Sequence, residues 1–255
     1  MSEKISFIGI IPARYGSSRF PGKPLAKIGE YSMIERVWRQ VTKVLDEAIV
    51  ATDDQRIFDE VTRFGGRAIM TSSSHKSGTD RCQEAYEKSG STADVIINIQ
   101  GDEPFIQPQQ LVEIMRCFND PSTQIATLAR KLTTGSKFEA LSDWTKPKLV
   151  VDNNNYALYF SRSVIPYLRN SDPKEWPSQF PYLMHVGMYA YKNDILREIT
   201  KLPQSSLELA ESLEQLRWLQ NGYKIKVGIT EHNSIGIDTP ADLERAIKLI
   251  ESSDE

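Results

Sequence analysis

Residues 5–11, Ile-Ser-Phe-Ile-Gly-Ile-Ile, form a short apolar run that breaks at Pro12 into the loop Ala13-Arg14-Tyr15-Gly16-Ser17-Ser18-Arg19-Phe20-Pro21-Gly22-Lys23-Pro24. An apolar run of that length reads as a strand buried on both faces, and the loop at a strand's carboxyl end is where open α/β sheets bind ligands. Gly16 and Gly22 allow close backbone approach, Ser17 and Ser18 supply hydroxyls, and Arg14, Arg19 and Lys23 place three cations within ten residues. Backbone N–H groups with Arg forks and a Lys point charge suit a polyphosphate. The string is neither a Walker loop, which ends in Gly-Lys-Ser/Thr, nor a three-glycine dinucleotide fingerprint. On spacing alone it reads equally as a solvated basic connection.

The stretches that follow alternate between helical and strand patterns. Met33, Ile34, Val37, Val41 and Val44 predict a helix over 32–45, and Ala48–Ala51 a strand. Ile57, Phe58 and Val61 mark a helix stopped at Gly65-Gly66, followed by a strand over 67–70. A helix over 80–88, a strand over 94–99, a helix over 108–118 and a strand over 125–129 continue the pattern. Such alternation implies parallel pairing with right-handed crossovers. The fold class is α/β, with a mostly parallel, Rossmann-like sheet flanked by helices.

From Phe138 the grammar changes. Lys148–Val151, the turn Asn153–Asn155 and Tyr156–Phe160 read as an antiparallel hairpin. Arg169–Pro181, with three prolines, reads as a long loop. A strand over 185–191, helices over 193–201 and 207–221, and a strand over 224–229 follow. The stretch Ile235–Leu243 then leads into a closing helix with Leu243, Ala246, Ile247 and Ile250 on its apolar face. The expectation is one domain over 1–255, with an antiparallel α+β insertion at about 138–222 that carries acceptor-site and dimer contacts.

With 40% hydrophobic and 25% charged residues the chain can bury a core, and its net charge of −3 argues against nucleic acid as the main partner. Cys82 and Cys117 stand alone without metal-ligand spacing. Met1–Lys4 precede the first strand without an apolar signal stretch, and no run is long enough to span a bilayer. These features make a cytoplasmic location the expectation, with no membrane partner.

Several further residues are candidates for chemistry. Ser77, Gly78 and Thr79 sit at a helix's amino end, where free N–H groups attract anions, although Thr79 or Asp80 reads equally as a cap. Gln100-Gly101-Asp102-Glu103-Pro104 closes the most strand-like run, and Asp102 there suits Mg²⁺, which keeps waters and bridges to phosphates. Asp238 is the second metal candidate, or else the neighbour of a helix cap. Arg162 and His185 are free to bind an anionic acceptor, or are a surface charge and a core histidine. No Ser-His-Asp or Cys-His arrangement points to a covalent intermediate.

As a whole string, residues 10–24 resemble the amino-terminal signature of the 3-deoxy-manno-octulosonate (Kdo) cytidylyltransferase family. The resemblance extends through Val50-Ala51-Thr52-Asp53, His75–Asp80, Gln100–Pro104, Tyr156–Arg162, His185–Tyr189, Leu213–Arg217 and Gly236–Pro240. It implies contacts to CTP from Arg14, Arg19, Lys23, Ser77, Gly78, Thr79 and Gln100, with Arg14, Lys23, Asp102 and Asp238 catalytic. It implies Mg²⁺ held by Asp102 and Asp238, and Kdo held by Arg162, His185, Tyr189, Glu214 and Gln215. The implied reaction is in-line, Mg²⁺-dependent attack of the sugar's anomeric hydroxyl on the α-phosphate of CTP, giving CMP-Kdo and pyrophosphate for lipopolysaccharide biosynthesis by a homodimer. A metal at the acceptor hydroxyl lowers its pKa and removes the need for a histidine base. The alternatives are a CMP transferase for 8-amino-Kdo or sialic acid, and a nucleotide-binding regulatory module without turnover. Residues 169–181 depart from the family pattern.

Overall fold

The first strand runs on through the proline that the sequence marks as its end. In the computed structural model, which describes residues 5–133, 135–233 and 236–251, β1 spans Phe7–Ala13. Its Pro12 and Ala13 stand in register with Ala51 and Thr52. The carbonyl of Ile10 accepts from Ile99 N–H (3.0 Å), so strand alternation turns Pro12 to that same flank. The neighbouring strand pairs only with Phe7–Ile10, so the donor that proline lacks has no ladder to join there.

The chain gathers into two units, the first built from the described parts of 1–112, 190–200 and 234–255, and the second from 113–189 and 201–233. After β1 the first unit adds the hairpin β2 (Lys27–Ile28) and β3 (Tyr31–Ser32), then α1 (Met33–Val41), β4 (Glu47–Thr52), α2 (Gln55–Arg63) and β5 (Arg67–Met70). It continues with α3 (Gly78–Ser89), β6 (Val95–Asn98) and the first residues of α4 (Pro108–Arg116). Its strands stand in the order β6-β1-β4-β5, every pair parallel. Ile8, Ile10, Ile11, Ile49, Val50, Ile96 and Ile97 are wholly buried, as the continuous apolar runs require.

The helices of this unit follow local rules. Ser32 caps α1 by accepting from Glu35 N–H, and Met33, Ile34, Val37 and Val41 form its buried stripe. Asp54 caps α2, and Gly65 at φ 80° follows its end. The hairpin of β2 and β3 was not expected, because two residues a side carry no periodicity. Residues 236–238 are irregular, tied in by Ile237 N–H to the carbonyl of Asp102 (2.9 Å).

The second unit contains β7 (Ile125–Lys131), α5 (Phe138–Ser142), β8 (Lys148–Val151), β9 (Ala157–Ser161), α6 (Trp176–Gln179) and β10 (Leu183–Lys192), whose last residues belong to the first unit. Next come α7 (Asn193–Ile199), in the first unit, and α8 (Ser206–Glu211), α9 (Gln215–Gln220) and β11 (Ile225–Thr230) in the second; α10 (Pro240–Glu251) closes the first. β11 is parallel to β7, while β8 is antiparallel to both β9 and β10, so the hairpin reading holds and the sheet is mixed in this unit.

Two expectations need correction. Residues 169–181 are not a structureless loop: Asp172 caps a 3₁₀ turn over 173–175, and α6 follows. Trp176 is 3% exposed, with ring centroids 5.8 Å from Phe138 and 4.8 Å from Tyr167. The buried indole anchors the segment, and Pro177 sits in a first helical turn, where proline removes no hydrogen bond. The helix expected over 207–221 is two helices, broken at Ser212, whose φ of 51° leaves the right-handed region.

Cys82 and Cys117 are buried and free. Met1–Lys4, Ile235 and the side chain of Ile250 lie outside the described residues. Among the described residues no helix is long and apolar enough to cross a membrane.

Candidate active site

At the carboxyl ends of β1 and β6, the first unit encloses a cavity of about 260 Å³. Arg14, Arg19 and Lys23 line it from the loop after β1, Ser77 and Gly78 from the start of α3, Gln100 and Asp102 from the turn after β6, and Asp238 from the approach to α10. Eight of the residues expected at the nucleotide and metal positions therefore share one cavity. Thr79 does not join them. Helix α3 begins at Gly78, two residues earlier than periodicity suggested, because Ser77 is the cap and accepts from Asp80 N–H (3.1 Å). Thr79 then falls inside the first turn and is buried at 3% exposure.

Lys23 occupies the centre of the site. Its Nζ lies 2.6 Å from Asp102 Oδ2 and 3.3 Å from Asp238 Oδ1, and its side chain is only 13% exposed. Local backbone puts it there. Gly22 adopts φ 72°, the left-handed conformation that costs other residues, and the 3₁₀ turn Lys23–Leu25 starts directly after it with Pro24 buried. Asp102 is presented by an equally tight turn. A Cβ on Gly101 would meet the carbonyl oxygen of Pro12 at 2.9 Å, so only glycine lets the turn pass so close to β1.

Asp238 is the neighbour of the α10 cap, which is Thr239. Thr239 donates N–H (2.9 Å) and hydroxyl (2.8 Å) to Asp242 Oδ2, and its hydroxyl accepts from Asp242 N–H (3.2 Å). This reciprocal cap leaves the Asp238 carboxylate to Lys23 and to Arg19, whose Nη2 lies 3.2 Å away. Arg19 is 65% exposed and so retains solvated donors beside the cavity.

Sequence reasoning missed His75, Lys76 and Arg81, which line the same cavity. Arg81 is a buried cation whose Nη1 donates to Thr71 Oγ1 (2.5 Å) and Nη2 to Asp53 Oδ2 (3.2 Å). Its position four residues after the Ser77 cap, on the same helix face, was the available signal. His75 pairs with Glu84. Burial opposes ionisation of Glu84, but Lys88, Ser72 N–H and His75 together hold its carboxyl down at about 2.

Asp102 and Asp238 also fit a hard divalent cation. Their oxygens already flank one positive charge, and Mg²⁺ takes one or two carboxylates, completing its shell with water and phosphate. Among the described residues no group of three or more His, Cys, Asp or Glu could hold a metal, so the protein supplies only part of such a shell.

The expected acceptor residues all lie in the second unit. His185 and Tyr189 on β10 have ring centroids 5.4 Å apart, and Tyr189 meets Trp218 of α9 edge-on at 5.1 Å. His185 Nε2 is 3.1 Å from Thr127 Oγ1, and burial pushes the imidazole down to about 4, so it is neutral near pH 7. Burial also drives Tyr189 well above the usual phenol value. Glu214 ion-pairs with Arg217 at 3.9 Å, and Gln215 is buried with no hydrogen-bond partner for its Nε2. Arg162 commits Nε to the carbonyl of Glu211 (2.6 Å), Nη1 to that of Trp144 (3.0 Å) and Nη2 to that of Ser212 (3.2 Å). Three of its five N–H donors therefore hold backbone, which leaves two for a ligand.

Comparison with known proteins extends this picture. Residues 8–225 match the family model described as "Cytidylyltransferase". The 3-deoxy-manno-octulosonate cytidylyltransferase of Bacteroides thetaiotaomicron is 57% identical over 248 residues, covering 97% of this chain and 99% of that protein. Its counterpart from Phocaeicola vulgatus is 60% identical over 242 residues, covering 95% and 96%. The solved structure of CMP:2-keto-3-deoxy-manno-octonic acid synthetase complexed with CTP superposes with a TM-score of 0.89 at 42% identity, over 97% of this chain and 99% of that one.

Proposed function

We infer the activity from the premise that this chain belongs to the 3-deoxy-manno-octulosonate cytidylyltransferase family. It is a CTP-dependent nucleotidyltransferase that activates Kdo to CMP-Kdo, releasing pyrophosphate, for lipopolysaccharide biosynthesis. The single observation that carries this reading is Lys23, held between Asp102 and Asp238 in a cavity edged by Arg14 and Arg19. A triphosphate requires that charge.

In this reading the anomeric hydroxyl of Kdo attacks the α-phosphorus in line with the departing pyrophosphate. A phosphoryl transition state gathers charge on its equatorial and leaving oxygens, and Arg14, Arg19 and Lys23 neutralise it. Ser77, Gly78 and Gln100 position the nucleotide. Asp102 and Asp238 would hold Mg²⁺, which when bound would supply further charge neutralisation to the phosphates. Tyr189, Glu214 and Gln215 bind the sugar acid, with His185 offering a neutral imidazole and Arg162 its two uncommitted N–H groups to the carboxylate. The protein works in the cytoplasm as a homodimer. Support for the dimer comes from the second unit, where Trp144, Leu158, Tyr167 and Leu209 are each more than 60% exposed.

Pyrophosphate release from CTP, Mg²⁺ and Kdo tests the function, with sialic acid, 8-amino-Kdo and no sugar as parallel arms and mass spectrometry identifying the product. The expected result is CMP-Kdo from the Kdo arm. Faster turnover of another sugar acid reassigns the acceptor, and CTP binding without turnover in any arm overturns the enzymatic reading.

A further inference from the structure

Tyr15 lies inside the cationic loop but is not among the residues lining the cavity, and nothing so far gives it a task. It is held from two directions. Arg56, in the first turn of α2, lays its guanidinium over the ring, with Cζ 3.3 Å from the centroid. That guanidinium is itself fixed. Asp54 caps α2 by accepting from Arg56 N–H (3.0 Å), and its two oxygens take Nε (2.9 Å) and Nη2 (2.7 Å). A bidentate fork sets the plane as well as the position of an arginine.

The second hold comes from Gly22. Its N–H donates to the carbonyl of Tyr15 (2.9 Å), which closes the loop into a ring of backbone. Gly22 lies so near the phenol that a Cβ there would meet Cε2 and Cζ at 3.0 Å. The next residue is Lys23. A continuous series of contacts therefore runs from the amino end of α2 through Asp54, Arg56, Tyr15 and Gly22 to the ammonium between Asp102 and Asp238.

We propose that Tyr15, clamped by Arg56, is a positioning residue that sets the Gly22–Lys23 backbone and thereby aims the Lys23 ammonium into the site. The proposal rests on the nucleotidyltransferase reading of that cavity. A displacement of about 1 Å at a reacting group is enough to lower a rate about a hundredfold. Removal of the ring takes away the surface against which Gly22 is packed, whereas Tyr15→Phe keeps both the stack and the packed edge.

The test is steady-state turnover and CTP calorimetry on Tyr15→Ala, Tyr15→Phe and Arg56→Ala, each alone and combined with Lys23→Met. Tyr15→Ala should lower kcat/KM for CTP by about 10- to 100-fold. Tyr15→Phe should stay within about threefold of wild type, and Arg56→Ala should fall between, since an exposed cation–π contact is modest. In the Lys23→Met background the Tyr15→Ala loss should nearly vanish, because residues acting through one group are not additive. A purely structural role would instead lower the melting temperature and add its effect in full to that of Lys23→Met. Full additivity, an unchanged Tyr15→Ala, or a Tyr15→Phe as damaged as Tyr15→Ala overturns the proposal. If Tyr15→Ala fails to fold, the exposed Arg56→Ala carries the same comparison. An inactive wild type refutes the function instead, and calorimetry then shows whether Tyr15→Ala still weakens CTP binding through Lys23.

Discussion

Replacing Lys23 by Met keeps the side chain's length and packing and removes its charge, so it isolates what the ammonium does. Contacts of 2.6 Å to Asp102 and 3.3 Å to Asp238 correspond to gross Coulomb attractions of about 6 and 5 kcal/mol at an effective dielectric of about 20. Little of that survives as stability. Asp102 and Asp238 are 31% and 50% exposed and regain water when the lysine leaves, and Arg19 still pairs with Asp238. Hydrogen bonds to charged groups contribute about 1.5–3 kcal/mol net, and the exposure of both acids places this site near the lower end. A loss of about 1–2 kcal/mol lowers the melting temperature of a chain this size by roughly 2–8 °C. The kinetic loss is larger, because a donor aimed at charge that develops in the transition state contributes about 2.7–4 kcal/mol, or 10²–10³ in kcat. Coupled pyrophosphate release alongside calorimetric melting separates the two. Turnover within about threefold of wild type would refute the central role given to Lys23, and so would a melting loss large enough to account for the rate. A second readout has the opposite sign. With the ammonium gone, Asp102 loses its cation and Asp238 keeps only the exposed Arg19, so Mn²⁺ titration of the nucleotide-free protein should show tighter binding in Lys23→Met than in wild type.

Two further perturbations probe the second unit. Burial lowers His185 from 6.5 to about 4, so the unfolded chain binds the extra proton first as pH falls; the resulting stability is complete above about pH 6.5 and is lost progressively towards pH 4. The urea midpoint of wild type should therefore fall between pH 7 and pH 5 by the equivalent of about 2 kcal/mol more than that of His185→Gln, and parallel curves would contradict the half-buried neutral imidazole. Arg217 and Glu208 form a buried pair (Nε to Oε2 2.7 Å) whose carboxylate also completes the α8 capping box, so Arg217→Met should cost about 3–5 kcal/mol in urea denaturation. Adding Glu208→Gln should restore much of it, and no recovery would mean that packing around the guanidinium, and not charge, is what was lost.

The legible parts of this protein were those written in local periodicity. The apolar runs behind β1, β4, β6 and β7 and the stripe of α1 follow from side-chain spacing alone, and with them the parallel ladder and the binding edge at the ends of β1 and β6. Loop chemistry was legible too, because Gly22 and the cations beside it are unusual in composition as well as in order. What spacing could not carry was decided by contacts distant in sequence. Pro12 stays within β1 because β6 ends early, and 173–179 becomes ordered because Trp176 finds Phe138 and Tyr167. Ser212 breaks a pattern that looks continuous, and Ser77, by capping α3, withdraws Thr79 from the cavity. Arg81 escaped notice because a helical arginine is ordinarily a solvated charge, and only the fold buries it against Thr71 and Asp53. Sequence alone named Lys23, Asp102 and Asp238 as candidates spread over more than two hundred residues. That one ammonium lies between the two carboxylates is a property of three tight backbone segments meeting at one edge of the sheet, and no local rule encodes such a meeting.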